Sequence, residues 1–174
     1  MRQFAYLTEE TFRKIEEKGR PTLLFFPNLC PWENMPDSVR TYIQEGERKG
    51  LPGHALISTR KPWCKMETRA IPSFLFAYLG RRNARFIRNE AKVLPLTGFL
   101  CVYPHSKDKE YIEKLWTILQ HPSTISNLHL VGKSYGSGAV KVEPGFLAKL
   151  PINSELVKEV GLNPMASQLD FRSL

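Results

Sequence analysis

The chain has 174 residues, of which 42% are hydrophobic and 24% charged, enough for one domain with a buried core and unlike a disordered chain. No apolar run reaches the ~20 residues of a membrane-spanning helix, and the first residues do not form a signal peptide. We therefore expect a cytoplasmic protein with no membrane partner, whose net charge of +8 favours a polyanion as ligand.

The first fifty residues predict two helices with a strand between them. Thr8 as N-cap and the closing Gly19 bracket an amphipathic helix. A second helix is predicted from Pro36 to Lys49, ended by Gly50. The apolar run PTLLFFP between the helices predicts a strand.

From Leu51 onward the pattern changes to short strands and then to helices. The predicted strands are HALIST, FLFAYL, ARFIRN and GFLCVYP. Two helices follow in KDKEYIEKLWTILQ and PSTISNLHLVG, then a glycine turn, a strand in AVKVE, a helix in PGFLAKL, and a last small helix with a frayed tail. The fold class predicted is mixed α/β (α+β), with a small, mostly antiparallel sheet flanked by helices.

The cysteines and carboxylates give no pattern of a catalytic or metal site. Cys30, Cys64 and Cys101 lie far apart, no C-x-x-C occurs, and no histidine stands beside them at ligand spacing. Cys64 has no evident base, and the carboxylates form no acid–base pair. We predict reduced thiols, no metal, no cofactor-binding residue and no catalytic residue in this chain.

Nearly all of the excess positive charge lies between Ser58 and Lys92. Nine basic and two acidic residues there give +7, and aromatic residues are interleaved with them, a pattern typical of a polyanion-binding surface. Within this stretch GRRNARFIRN has four arginines in eight positions, and arginine can read the major-groove edge of guanine. A solvated turn would explain one or two of these arginines. For Trp63 we favour core packing, with phosphate contacts by its basic neighbours.

The segment KSYGSGAVKVEPGFLAKLP, from Lys133 to Pro151, carries a second candidate site. Its glycines fit neither a Walker loop nor a dinucleotide fingerprint, because they follow a predicted helix and lead into a strand. The turn is either a plain helix-to-strand connection or a grip on phosphate, for which lysine, serine and tyrosine are suitable residue types.

Three short motifs recur in a fixed order along the chain. The first resembles R-x-P-W-Y and has Arg60, Pro62 and Trp63, with Cys64 in place of the tyrosine. The second resembles R-F-x-x-N and has Arg85, Phe86 and Asn89. The third resembles a G-x-G-x-x-K-x-x-P turn leading into L-P-I, with Gly136, Gly138, Lys141, Pro144, Leu150, Pro151 and Ile152.

In this order the motifs resemble the C-terminal target recognition region of adenine-specific DNA methyltransferases of restriction–modification systems, the TaqI-like and related bifunctional type II enzymes. The similarity covers about residues 37–152. It implies a sequence-specific duplex DNA-binding domain over residues 1–152, followed by a C-terminal helix and tail over 153–174. The chain lacks the Pro-Pro-Tyr or Pro-Pro-Phe loop that holds the flipped adenine in such enzymes. S-adenosylmethionine and the catalytic domain, its expected partner in the parent chain, are therefore expected upstream.

The resemblance and the charge pattern together give one set of predicted contacts to duplex DNA. The arginines of the set are candidates for base contacts at positions 81, 82 and 85, and its lysines for phosphate contacts. The predicted DNA-binding residues are Arg60, Lys61, Lys65, Arg69, Arg81, Arg82, Arg85, Lys133, Ser134, Tyr135, Gly136, Ser137, Gly138 and Lys141. An RNA-binding module and a protein-interaction module with a basic surface remain alternatives.

Overall fold

The computed structural model describes residues 5–27, 30–77, 84–96, 98–135, 139–166 and 169–172. Contacts divide the chain into two compact units. The sheet unit comprises Met1–Gly19 and Ala70–Leu174, and the inserted unit comprises Arg20–Arg69.

The secondary structure is numbered in chain order through both units. The strands are β1 (Tyr6–Leu7), β2 (Phe74–Ala77), β3 (Arg85–Asn89), β4 (Phe99–Pro104), β5 (Lys133–Tyr135), β6 (Ala139–Lys141) and β7 (Leu169–Arg172). The helices are α1 (Glu9–Glu16), α2 (Asp37–Arg48), α3 (Lys109–Gln120), α4 (Pro122–Ser126), α5 (Leu128–Val131), α6 (Pro144–Leu147) and α7 (Ser154–Glu159). Of these, α2 belongs to the inserted unit, together with two short 3-10 turns at Trp32–Asn34 and Leu51–Gly53.

The sheet unit is built on five strands in the order β1-β3-β2-β4-β7, and β5 and β6 form a separate hairpin. The short β1 runs parallel to β3, and the other neighbouring strands are antiparallel. The mixed α/β class and the mostly antiparallel sheet are thus confirmed.

One face of the sheet carries the main core. Residues paired across neighbouring strands point to the same face, and Phe76 is paired with Phe86 on one side and Leu100 on the other. The rings of Phe76 and Phe86 lie 4.9 Å apart, centroid to centroid. Helix α3 packs on this face through Leu115, Trp116 and Leu119. The wide apolar stripe predicted for this helix is therefore confirmed.

The opposite face of the three central strands is also buried. It includes Leu75, Ile87 and Cys101, which are neighbours in the register and are almost completely covered. A strand with both faces buried has no polar alternation to preserve. This explains why Phe86 and Ile87 are both apolar in ARFIRN.

Strand β1 is held to the sheet unit by side chains as well as by its two-residue pairing. Tyr6 lies edge-on to Trp116 of α3, with ring centroids 5.3 Å apart. The indole N–H of Trp116 donates a hydrogen bond of 2.7 Å to the Tyr6 hydroxyl. The Thr8 side chain then accepts a hydrogen bond from the Thr11 amide, so the predicted N-cap of α1 is confirmed.

A charged contact joins the sheet to α3. Both terminal nitrogens of Arg88 donate to the Glu113 carboxylate, one at 2.6 Å, and its Nε lies 3.3 Å from Glu90. The Arg88 side chain is only 16% exposed, whereas that of Glu113 is 48% exposed. The Arg88 hydrogen bonds hold the pKa of Glu113 below its usual value.

Two predicted strands are wrong. PTLLFFP forms no strand, and Leu23 within it is 92% exposed. HALIST forms turns, because the His54 carbonyl accepts from the amides of Ile57 and Ser58 and so closes the chain locally. In the described part of the inserted unit there is no strand with which either run could pair.

Three further expectations need correction in the sheet unit. The predicted frayed tail contains β7, which fills the free edge of β4. The glycine turn is preceded by strand β5 and therefore connects two strands, not a helix and a strand. PSTISNLHLVG divides at Asn127 into α4 and α5.

We expect Glu113→Gln to lower the free energy of unfolding by about 1 kcal/mol at pH 7, the upper range for an exposed pair. Because the folded-state pKa of Glu113 is lowered, its contribution is complete above the unfolded pKa and is lost as pH falls through the folded pKa. The difference between parent and variant should therefore vanish between about pH 4 and pH 3. Urea titrations at a series of pH values would measure it.

Glu159→Gln is the matched control, since Glu159 is exposed at the end of α7 and no ion pair joins it to the described residues. A Glu113 variant as stable as this control at pH 7 would contradict the role given to the Arg88 contact.

Candidate nucleic-acid interface

In the inserted unit, Trp63 is fixed against helix α2. A methyl group on Gly46 would stand 2.5 Å from Cη2 and 2.8 Å from Cζ2 of the Trp63 ring, so only glycine permits this approach. The indole N–H donates to the Glu47 carboxylate at 3.3 Å. Trp63 therefore packs as the sequence predicts.

The residues around Trp63 present the first set of predicted cations. Arg60, Lys61 and Lys65 are exposed, and none of them forms an ion pair with any residue in the described ranges. Backbone hydrogen bonds from Arg60 to Ile57 and from Lys65 to the Pro62 carbonyl shape this segment, in which the Lys61–Pro62 peptide is cis. We call residues 60–65 the basic loop.

Arg69 differs from the cations of the basic loop. Its side chain is 12% exposed and forms an ion pair of 2.5 Å with Glu67. Its charge is thus partly neutralised, whereas the charges of the basic loop face solvent.

In the sheet unit, the β5–β6 hairpin sets Lys133 directly opposite Lys141. Opposed residues of an antiparallel pair share a face, and like charges in such a pair destabilise each other. The Lys133 ammonium lies 4.9 Å from the centroid of the Phe146 ring, and that of Lys141 lies 3.7 Å from Glu143. Two amines on one hairpin face form a favourable environment for an anion.

The arginines of GRRNARFIRN do not share one role. Arg88 is engaged by Glu113 and Glu90, so its charge holds α3 to the sheet. Arg85 begins β3 and is paired in register with Ala77, which puts it on the face opposite to the Phe86 side chain, where it is partly buried. The solvated-turn interpretation therefore fails for Arg88, since a packing contact explains this residue.

The predicted site residues are distributed over both units. Four of them, Arg60, Lys61, Lys65 and Arg69, belong to the inserted unit, and the others belong to the sheet unit. Ser134 and Tyr135 are in β5. Outside the described residues lie Arg81, Arg82, Gly136, Ser137 and Gly138.

The motif residues that carried the resemblance mostly stabilise the fold. Phe86 is 1% exposed in the core. The Asn89 amide donates to the carbonyls of Pro72 and Val93, and its oxygen accepts from the Val93 amide, at 2.8 to 3.1 Å. Asn89 thus closes the turn after β3, a role for which the motif alone gave no reason.

Cys64 and the other metal-type ligands show no reactive arrangement among the described residues. Burial, and to a lesser degree Glu47, raises the pKa of the Cys64 thiol, which disfavours the thiolate that a nucleophile needs. No group of three or more His, Cys, Asp or Glu side chains within the described ranges is arranged to hold a metal ion. None of the helices there has the length and apolar character needed to cross a membrane.

Sequence reasoning missed the role of Gly46, although the sequence contained a signal for it. A glycine inside a helix costs about 1 kcal/mol relative to alanine, so an interior glycine often reports a packing requirement. Gly46 stands in the middle of the predicted second helix. The partner of Gly46 could not be deduced, because Trp63 is 17 residues away in sequence.

Comparison with known proteins agrees with the class indicated by the motifs, that of the C-terminal domains of restriction–modification methyltransferases. The family described as "Type II methyltransferase M.Eco57I, C-terminal domain" matches residues 3–171, and the chain belongs to this family. The type II methyltransferase M.AccI of Acinetobacter calcoaceticus is 26% identical over 147 residues, which are 83% of this chain and 26% of that protein. The chain thus spans about a quarter of the length of this curated relative. No solved structure matches the chain.

We expect Gly46→Ala to displace the Trp63 ring and loosen the basic loop, because the added methyl group overlaps the ring. Hydrogen exchange of the amides of Arg60 and Lys65 should accelerate. Mass spectrometry of a peptide spanning residues 57–69 would measure the exchange rate.

Gly53→Ala is the control, since a methyl group there meets no atom within 4 Å and the residue lies in the same unit. Equal exchange rates in the two variants would contradict the anchoring role of Gly46.

Proposed function

We propose that this chain is the DNA target recognition domain of an adenine-specific type II methyltransferase. It would hold duplex DNA while another domain of the parent enzyme transfers the methyl group. Family membership supports the methyltransferase context, and the resemblance in the motifs supports adenine as the target base. DNA recognition itself is supported by the arrangement of the cations.

The observation that carries the proposal is the basic loop. Arg60, Lys61 and Lys65 are exposed on a segment held by Trp63, and no carboxylate of a described residue pairs with them. Long cationic side chains usually find a carboxylate on a protein surface that has no anionic ligand. A fixed backbone with three unpaired cations suits the phosphates of a nucleic acid, because such contacts determine position without reading sequence.

The β5–β6 hairpin would supply a second set of phosphate contacts. A phosphate oxygen between Lys133 and Lys141 would remove the repulsion of their opposed charges. Ser134 and Tyr135, with the glycine turn at positions 136–138, would add donors beside the lysines. The segment singled out in the sequence thus serves phosphate binding in this proposal.

Base reading is assigned in the proposal to the arginines at positions 81, 82 and 85. Only arginine presents two parallel donors that match the O6 and N7 acceptors of guanine. Arg85 stands at the start of β3, immediately after the segment that contains the other two. A base contact by these residues would be added to the sequence-independent phosphate contacts.

S-adenosylmethionine does not fit the residues described here. Cofactors of doubly wound enzymes bind outside the carboxyl ends of parallel strands. Apart from the two-residue β1, the described strands are antiparallel to their neighbours and offer no such crevice. The methyl donor and the transfer step would therefore belong to the remainder of the parent enzyme.

For the phosphate contacts, we expect Lys133→Ala and Lys141→Ala to weaken binding to all duplex sequences alike. Each lost phosphate contact should also reduce the slope of log K against log salt by about 0.9. Fluorescence anisotropy of a labelled duplex at several salt concentrations, with the 174-residue chain, would give both quantities.

Lys14→Ala is the matched control, because Lys14 already pairs with Glu10 on α1. Unchanged affinity and slope in both hairpin variants would contradict phosphate binding there. Equal or stronger competition by single-stranded RNA would favour the RNA-binding alternative.

For the base contacts, we expect Arg85→Ala to flatten the sequence preference at one position of the site, by about 1–3 kcal/mol per lost bidentate pair. Selection from a randomised duplex library, repeated with the variant, would show which position loses its preference. Arg60→Ala is the control, for it should lower affinity and leave the selected sequence unchanged. Identical selected sequences from the Arg85 variant and the parent would remove Arg85 from the base contacts.

A further inference from the structure

A cavity of about 300 Å³ lies within the inserted unit beside the basic loop. Three aromatic rings, those of Phe25, Tyr42 and Trp63, line it together with Arg60. This volume is at the lower end of the range of about 300–1,000 Å³ for small-molecule sites. The space suits one planar ring system better than a larger ligand.

The aromatic rings of this cavity are unusually accessible. Tyr42 is 63% exposed and Phe25 is 41% exposed, although their rings touch edge to face with centroids 5.2 Å apart. Exposed aromatic rings that are ordered by contact with one another offer a stacking surface for a base, and such stacking tolerates any sequence.

The charges at the cavity are compatible with a nucleotide. The acid among the lining residues, Glu45, forms an ion pair of 2.7 Å with Lys49, which also lines the cavity. Arg60 has no ion-pair partner among the described residues and can reach a phosphate. The larger cavity on the other side of Trp63, of about 550 Å³, is instead lined by Glu47 and by one cation, Lys65, and is less suitable.

We propose that the aromatic cavity of the inserted unit binds one unpaired nucleobase of the DNA, with Arg60 on the adjoining phosphate. The inference rests on the proposed DNA-binding function and extends it. Tyr42 and Trp63 supply the stacking faces, and the basic loop holds the strand on either side of the unpaired base. The inserted unit thereby distinguishes a duplex with an extruded base from a fully paired duplex.

The test compares two labelled duplexes of the same sequence, one fully paired and one with a single bulged 2-aminopurine. With the 174-residue chain, we expect the bulged duplex to bind about fivefold or more tightly, in line with one base–aromatic stack. Tyr42→Ala should abolish this ratio, whereas Tyr42→Phe should preserve it. Because Tyr42 is mostly exposed, neither change should affect folding.

The other outcomes separate this inference from the proposed function. Lys133→Ala should weaken both duplexes equally and leave the ratio unchanged. Equal affinity of the parent chain for both duplexes would overturn the base pocket and leave DNA binding intact, as would occupation of the cavity by an apolar protein segment. A preference that survives Tyr42→Ala would exclude this cavity as the site. Failure to bind either duplex would overturn the proposed function, and the pocket with it.

Discussion

The sheet unit depends on the burial of β2 on both of its faces. Phe74 and Phe76 face the helices, and Leu75 between them faces the opposite side of the sheet, where it is equally covered. A strand that is apolar at every position can pair centrally but cannot form an edge exposed to water. Strands β3 and β4 therefore have to flank it, and α3 has to cover the Phe76 face.

The inserted unit follows another principle, because one aromatic anchor replaces an extensive core. Helix α2 buries only Ile43 and Gly46, and Trp63 packs against it while keeping its polar nitrogen on Glu47. The basic loop is attached to this anchor. A tryptophan with few partners can hold a loop in position and still leave neighbouring aromatic surface accessible to a ligand.

Within the motifs, scaffold residues and candidate contact residues alternate closely. Trp63, Phe86 and Asn89 stabilise local structure, whereas Arg60 and Lys141 are directed to the proposed ligand. A binding surface needs its cations on a rigid backbone, because unpaired charges on a flexible segment would lose entropy on binding. This requirement gives a reason for both residue types to occur within one short motif.

The strongly patterned elements could be predicted from the sequence, and the weakly patterned ones could not. The stripe of α3 and the apolar run of β2 carry enough local information to determine their type. The run at residues 21–27 has equal β propensity but no partner strand in its unit, so tertiary context overrides propensity there. Strand β7 shows the converse, since a polar tail becomes a strand at the free edge of β4.

The sequence by itself determined the helices with clear caps, the three central strands, the concentration of positive charge and the family. Only the tertiary structure decided which of those charges are available. Arg88 is spent on Glu113, Lys133 is set against Lys141, and the loop at 60–65 is left open. The reason is that a charge is neutralised by whatever comes within a few ångströms of it in space, and such neighbours are separated in sequence by intervals that no local pattern encodes.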